Sequence, residues 1–322
     1  MKLTYTTAAL AAAAMLAAPA LGQTTIIQND FVNGNPLSGA GPLESPFFTT
    51  SSGDGLASDN GTLGVLDFAS GTSGRSIHTL FAPQTLANAG DVLTVSYTFT
   101  TPATVGNNED FRVGLFNTNG AAGFAEDISA SSSTPNAILN GLPGVSGEFD
   151  INTASADLAI RTNNINEIDD LDGDLPDDLQ TGRLLATTDG FTFVESGPDN
   201  GFAIAPNTQY TGTFALELDA GGDLIVTQTL VGGTVNESFI SGAVPFTDDV
   251  AAGDAGVNTL TFDFLGFSAT GDAFGSVNDA GVADNGADFN NVTVTFTPVP
   301  EPASMALLAG GAMMLAGRRR KG

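Results

Sequence analysis

An all-β, antiparallel sandwich is the fold class that this sequence predicts, and three observations carry the prediction. Apolar and polar residues alternate with period two along many short segments, the pattern of strands with one buried and one wet face. Turn-forming residues, above all the 40 Gly, separate those segments at short intervals. Between residues 23 and 298 no convincing amphipathic helix stands out. The chain has 322 residues, 42% hydrophobic with 22 Phe, so material for a core is ample and ordinary disorder is excluded.

Taken in chain order, residues 1–22 read as a secretory signal peptide. Lys2 gives the positive start, an apolar stretch follows over 8–18, and Ala20 and Gly22 are the small residues that suit cleavage before Gln23. The body is then 23–298. Early strands are expected over 63–68 and 76–81. The clearest follows at 92–100, where Leu93, Val95, Tyr97 and Phe99 share one face and Thr94, Ser96, Thr98 and Thr100 the other. Further strands are expected at 111–117, 148–152, 158–162, 184–188 and 191–195. Residues 210–219 and 223–231 flank Ala220-Gly221-Gly222 and read as a hairpin. The segment 259–264 places Leu260, Phe262 and Phe264 on one side, and 291–297 places Val292, Val294 and Phe296 on one side. Long loops are expected over 118–143, 163–183 and 269–290. Such a body suits one domain better than two.

Charge is concentrated in the body. Of 36 acidic residues only Glu301 lies outside it, leaving 35 there. Of 9 cations, Lys2, Arg318, Arg319, Arg320 and Lys321 lie at the ends, leaving Arg75, Arg112, Arg161 and Arg183. The body therefore carries a formal −31, a self-repelling surface and a poor partner for nucleic acid. The absence of Cys excludes disulfides, thiolate zinc sites and cysteine nucleophiles.

The C-terminal 24 residues form a separate module, 299–322. Pro300-Glu301-Pro302 precedes an apolar run over 303–317, and Arg318, Arg319, Arg320 and Lys321 follow as a membrane stop. As a helix, 15 residues span roughly 22 Å, short for a hydrocarbon core of about 30 Å, a gap that flanking residues and local thinning can close. Pro300, Glu301 and Pro302, a short apolar helix and a terminal basic cluster, in that order, resemble the PEP-CTERM protein-sorting signal of exported bacterial proteins. The resemblance implies processing near the motif by an exosortase-type enzyme, transient anchoring through the helix, and a place in the cell envelope, on the surface or outside the cell.

The body has a likeness of its own. The stretch Asp-Val-Leu-Thr-Val-Ser-Tyr-Thr-Phe at 91–99, Asp-Phe-Arg-Val-Gly-Leu-Phe at 110–116, a late hairpin, and Asp-Phe-Asn-Asn-Val-Thr-Val at 288–294 resemble concanavalin-like and laminin-G-like jelly rolls. That resemblance implies two stacked antiparallel sheets.

Candidate chemistry is sparse. Glu148 and Asp150 match two positions of the Glu-x-Asp-x-x-Glu strand of laminarinase-type jelly-roll glycosidases, but Thr153 stands where that family has its acid/base. Retaining hydrolysis needs a second carboxyl about 5–5.5 Å from the first, so no enzyme is expected and no catalytic residue is assigned. Asp170, Asp172 and Asp174 alternate as the first ligands of an EF-hand do, yet Leu175 and Thr181 break the pattern, leaving at most a looser Ca²⁺ loop. Asp284 and Asp288, leading into the last strand, are the other Ca²⁺ candidates. No cofactor is required. His78, the single His, reads as a plain strand residue with Ile77, Thr79 and Phe81 on the opposite face. The expected function is a non-enzymatic structural or adhesive component of the surface or extracellular matrix. A carbohydrate-binding jelly-roll module that takes an extracellular polysaccharide, with or without Ca²⁺, is the alternative, and a degenerate glycoside hydrolase stands third.

Overall fold

The computed structural model describes residues 22–31, 43–49, 66–68, 75–106, 109–128, 142–151, 158–163, 191–197, 203–246, 256–269, 273–274 and 286–299. Fourteen strands appear among them: β1 Thr24–Asn29, β2 Phe47–Thr49, β3 Leu66–Phe68, β4 Arg75–Thr85, β5 Val92–Thr100, β6 Glu109–Phe116, β7 Gly144–Ile151, β8 Leu158–Asn163, β9 Phe191–Ser196, β10 Gln209–Leu218, β11 Leu224–Gly232, β12 Val235–Val244, β13 Thr261–Ala269 and β14 Ala287–Thr297. They build two seven-stranded sheets. The first runs β1-β14-β5-β10-β11-β12, with β3 also on β14, and the second runs β2-β4-β13-β6-β7-β8-β9. All the pairings between these strands are antiparallel, as the period-two pattern requires.

The alternation legible in β5 is the alternation observed: Leu93, Val95, Tyr97 and Phe99 are buried and the residues between them half-buried. Tyr210, Phe214, Leu216 and Leu218 of β10, with Val226 and Leu230 of β11, extend the same inner face. From the second sheet, Phe111, Val113, Val145, Phe149, Leu265 and Phe267 complete one continuous core. Aromatic rings cross between the layers: Tyr97 meets Phe111 at 5.8 Å and Phe267 at 5.3 Å, both edge-on. Gln228 of β11 also crosses, its Nε2 donating to the carbonyl of Glu148 on β7 at 3.2 Å. Gly147 leaves space for it, because a side chain there would run into Gln228 and Phe214. The sandwich is latched at one side, where Gly242 N of β12 donates to Glu195 Oε2 of β9 at 2.6 Å.

Three sequence expectations need correction. Phe262 and Phe264 do not share a face. The register of β13 against β4 shifts between them, so Phe262 enters the main core while Phe264 joins a second cluster with Phe116, Phe124, Ile128 and Leu142. The last strand begins at Ala287, inside the expected loop 269–290. Strands β1, β2 and β12 carry no clear alternation and were not expected. In β12 a shift opposite Ile225 and Thr227 breaks the period, and Ser241 Oγ takes the Val226 N–H at 2.9 Å. The expected strand 184–188 lies outside the described residues, as do residues 1–21 of the expected signal peptide and the expected apolar tail helix over 303–317. Among the described residues no helix is long and apolar enough to cross a membrane.

Candidate functional site

Strands β6 and β7 pair so that Arg112 stands opposite Glu148 and Asp110 opposite Asp150. Phe111 and Val113 fill the core, so Asp110 and Arg112 project from the outer face of the second sheet. Gly147 faces inward, so Glu148 and Asp150 project outward beside them. Four charged side chains thus converge on one patch.

Arg112 organises this patch. Its Nε donates to Glu148 Oε2 at 2.6 Å, and its Nη2 donates to Asp110 Oδ2 in a short contact. The side chains of Arg112 and Glu148 are only 3% and 6% exposed, and that of Asp110 24%. Burial removes water from both ions, so each depends on the other for compensation. Carboxylate oxygens of Asp110, Glu148 and Asp150 lie within 4.8 Å of one another. Three carboxylates against one guanidinium leave a formal −2. Oxygen donors of this kind suit a hard cation such as Ca²⁺. The guanidinium, however, already sits on two of the three carboxylates, so a cation at this place has to displace it.

Glu148 and Asp150 are therefore outward strand residues, as the sequence suggested, and Glu148 is also half of a buried ion pair. Thr153 lies outside the described residues. So do Asp170, Asp172, Asp174 and Asp284, and the tail residues Pro300, Glu301, Pro302, Arg318, Arg319, Arg320 and Lys321. Asp288 is described: it is half-buried in β14, opposite Thr100, and does not belong to the three-acid group. Sequence reasoning missed Asp110 and Arg112. Their i, i+2 spacing was a signal that they share a face, but only the β6–β7 register shows what they face.

His78 lies elsewhere on the same outer face, beneath a cover built by the shifted register of β13. Asp263, at that shift, accepts from Thr118 N at 2.7 Å and Thr118 Oγ1 at 2.6 Å. This ties down the turn carrying Phe124. His78 Nε2 donates to the Phe124 carbonyl at 2.9 Å, and its ring stacks on Phe264 at 4.9 Å. Desolvation under this lid outweighs that hydrogen bond and pushes the imidazole pKa from 6.5 down to about 4. The folded state thus resists a proton that the unfolded state accepts. The associated stability is intact above about pH 6.5 and is lost as pH falls towards 4, by about 3 kcal/mol in full. We expect His78→Phe to be less stable than the parent at pH 7.5 and the gap to narrow by about 2–3 kcal/mol by pH 4.5. Paired thermal melts cancel the common carboxylate titrations, and a gap that stays constant with pH would refute the buried neutral imidazole.

The outer face of the first sheet has a different chemistry. Thr293, Ser96, Thr213, Thr229 and Ser238 sit in register across five strands. Neighbouring hydroxyls bond one another, Thr98 to Thr211 at 3.2 Å and Thr213 to Thr229 at 2.6 Å. This face is a hydroxylated platform with few charges, although the body as a whole is strongly acidic.

Fold and surface together define an acidic antiparallel β-sandwich of two seven-stranded sheets. Residues 298–321 match the PEP-CTERM protein-sorting motif, so the chain carries that signal. No curated protein matches the chain. Solved structures resembling it include the exoplasmic/lumenal domain of VIP36 in a Ca²⁺- and Man2-bound form, at 13% identity over 86% of this chain and 88% of that one, with a TM-score of 0.41. A lectin from Bauhinia forficata in complex with GalNAc aligns at 12% identity over 85% and 96%, TM-score 0.38. The metal-free carbohydrate recognition domain of Emp46p aligns at 11% identity over 81% and 93%, TM-score 0.39.

Proposed function

We propose that this protein is an exported, non-catalytic component of the bacterial cell surface or extracellular matrix. It is delivered by its C-terminal signal and released or attached when an exosortase-type enzyme cuts near Pro300–Pro302. The match of residues 298–321 to the PEP-CTERM protein-sorting motif carries this reading. Two features of the body support it. Arg112 engages both Asp110 and Glu148, and its pair with Glu148 is buried, which suits a structural tie better than turnover of a substrate. The first sheet offers rows of hydroxyls, suited to packing against other polar matter by many weak contacts.

Intact-mass measurement of the mature protein is expected to show a C-terminus near Pro302, with Arg318, Arg319, Arg320 and Lys321 gone. Retention of those four residues on all of the surface protein would overturn the processing claim. The hydroxyl rows also favour a second reading, a module that binds a neutral polysaccharide. Saturable retention of the purified body by one such polymer would move the assignment there.

A further inference from the structure

The chain just before Pro300 is held to the body by a single buried carboxylate, Asp91. Strand β14 ends at Thr297, and Pro298 has no N–H with which to continue a ladder. Val299 N instead donates to Asp91 Oδ1 at 2.7 Å. The other oxygen of Asp91 accepts from Ala87 N at 2.9 Å and Asn88 N at 2.8 Å. Asp91 is buried, and its backbone is fixed in turn, since Leu218 N donates to its carbonyl at 3.1 Å. The Val299 side chain lies over Gly90, which has a φ of 89°, and a Cβ at that position would come 2.8 Å from Val299 Cγ2. The main chain of Val299 is therefore tied to the body, and its side chain, although exposed, rests against Gly90.

The N-terminal side of the chain arrives at the same place. Thr24 pairs with Phe296, and a Cβ on Gly22 would lie 3.1 Å from the Pro298 carbonyl oxygen. Residue 22, after which the signal peptide is expected to be cut, and residue 299, after which Pro300-Glu301-Pro302 follows, are thus neighbours at one pole of the sandwich. Both expected export segments therefore adjoin that pole.

We propose that Asp91 is a positioning residue for tail processing: through Val299 N–H it fixes the base of the sorting motif against the folded body. This rests on the reading that the tail is processed. From Val299 to Ala303, where the apolar run starts, there are four residue steps, at most about 14 Å of extended chain. Pro298, Pro300 and Pro302 restrict that short stretch further, each by its ring and by its effect on the residue before it. A clamped base and a stiff exit leave the motif few orientations, so less ordering is required when a membrane-embedded enzyme takes it up.

The test is pulse-chase processing of the full-length chain in cells that carry the exosortase-type enzyme, with parent, Asp91→Ala, and a variant with Gly-Ser-Gly-Ser inserted between Val299 and Pro300. Asp91→Ala also loses the bonds to Ala87 and Asn88, so a folding defect alone can slow it. The insertion leaves every bond of Asp91 in place, and its body is expected to melt as the parent does. Both variants are expected to be processed more slowly. For Asp91→Ala the reduction is roughly ten-fold, the effect of losing one hydrogen bond to a charged group. An insertion variant processed at the parent's rate would overturn the positioning role while leaving the processing claim standing. A parent that keeps its tail would overturn both.

Discussion

Replacing Arg112 by alanine is expected to destabilise the body by about 3–5 kcal/mol, the usual cost of stranding one member of a buried ion pair. Glu148 would stay buried without its 2.6 Å partner, and Asp110 and Asp150 would face it across a patch only 4.8 Å wide. For a domain of this size the loss corresponds to a fall of about 10 °C in melting midpoint, measurable by scanning calorimetry at fixed ionic strength. The double change Arg112→Met with Glu148→Leu is expected to recover much of that loss, because both desolvated charges leave together. An Arg112→Ala melt within 2 °C of the parent, in about 0.1 M salt, would show that water reaches the patch and screens it.

Phe111→Ala is expected to cost a similar amount, about 3–5 kcal/mol, for a different reason. The Phe111 ring lies between the layers, 5.8 Å from Tyr97 and 6.3 Å from Phe289 on the first sheet, and 6.1 Å from Phe149 and 6.2 Å from Phe267 on the second. Truncation opens a void bounded by both sheets, and paired strands cannot collapse into it without breaking register. Phe111→Leu keeps part of the volume and is expected to lose less than half as much. Chemical denaturation of the two variants separates these cases. Equal losses in both would mean that ring shape, rather than filled volume, governs the site.

These two residues illustrate what could be read from the chain. Phe111 belongs to a segment whose alternation is local, so its inward direction was legible without knowledge of any partner. For β5 even the limits were legible, because each residue from Val92 to Thr100 obeys the same two-residue rule. The rule failed where a register shift turned a side chain to the other face or broke the period. Counting by twos places Phe264 on the side of Leu260 and Phe262, but the register shift between β13 and β4 turns it to the other face. Strand β12 stayed hidden for the same reason: Ile240 is apolar but 62% exposed, and the inward residues Val235, Phe239 and Val244 are unevenly spaced.

By itself the sequence determined the class of fold, the acidity of the body and the sorting signal, because each is written in neighbouring residues: a period of two, a count of charges, and a tripeptide followed by an apolar run and four cations. Tertiary structure alone decided the rest. The meeting of Arg112 with Glu148, 36 residues away, the burial of His78 under Phe124, and the capture of Val299 by Asp91 across 208 residues all depend on strand register and on loops folding back over a sheet. Such contacts are set by how the sheets pack against one another and not by any local pattern, so nothing near either partner in the chain encodes them.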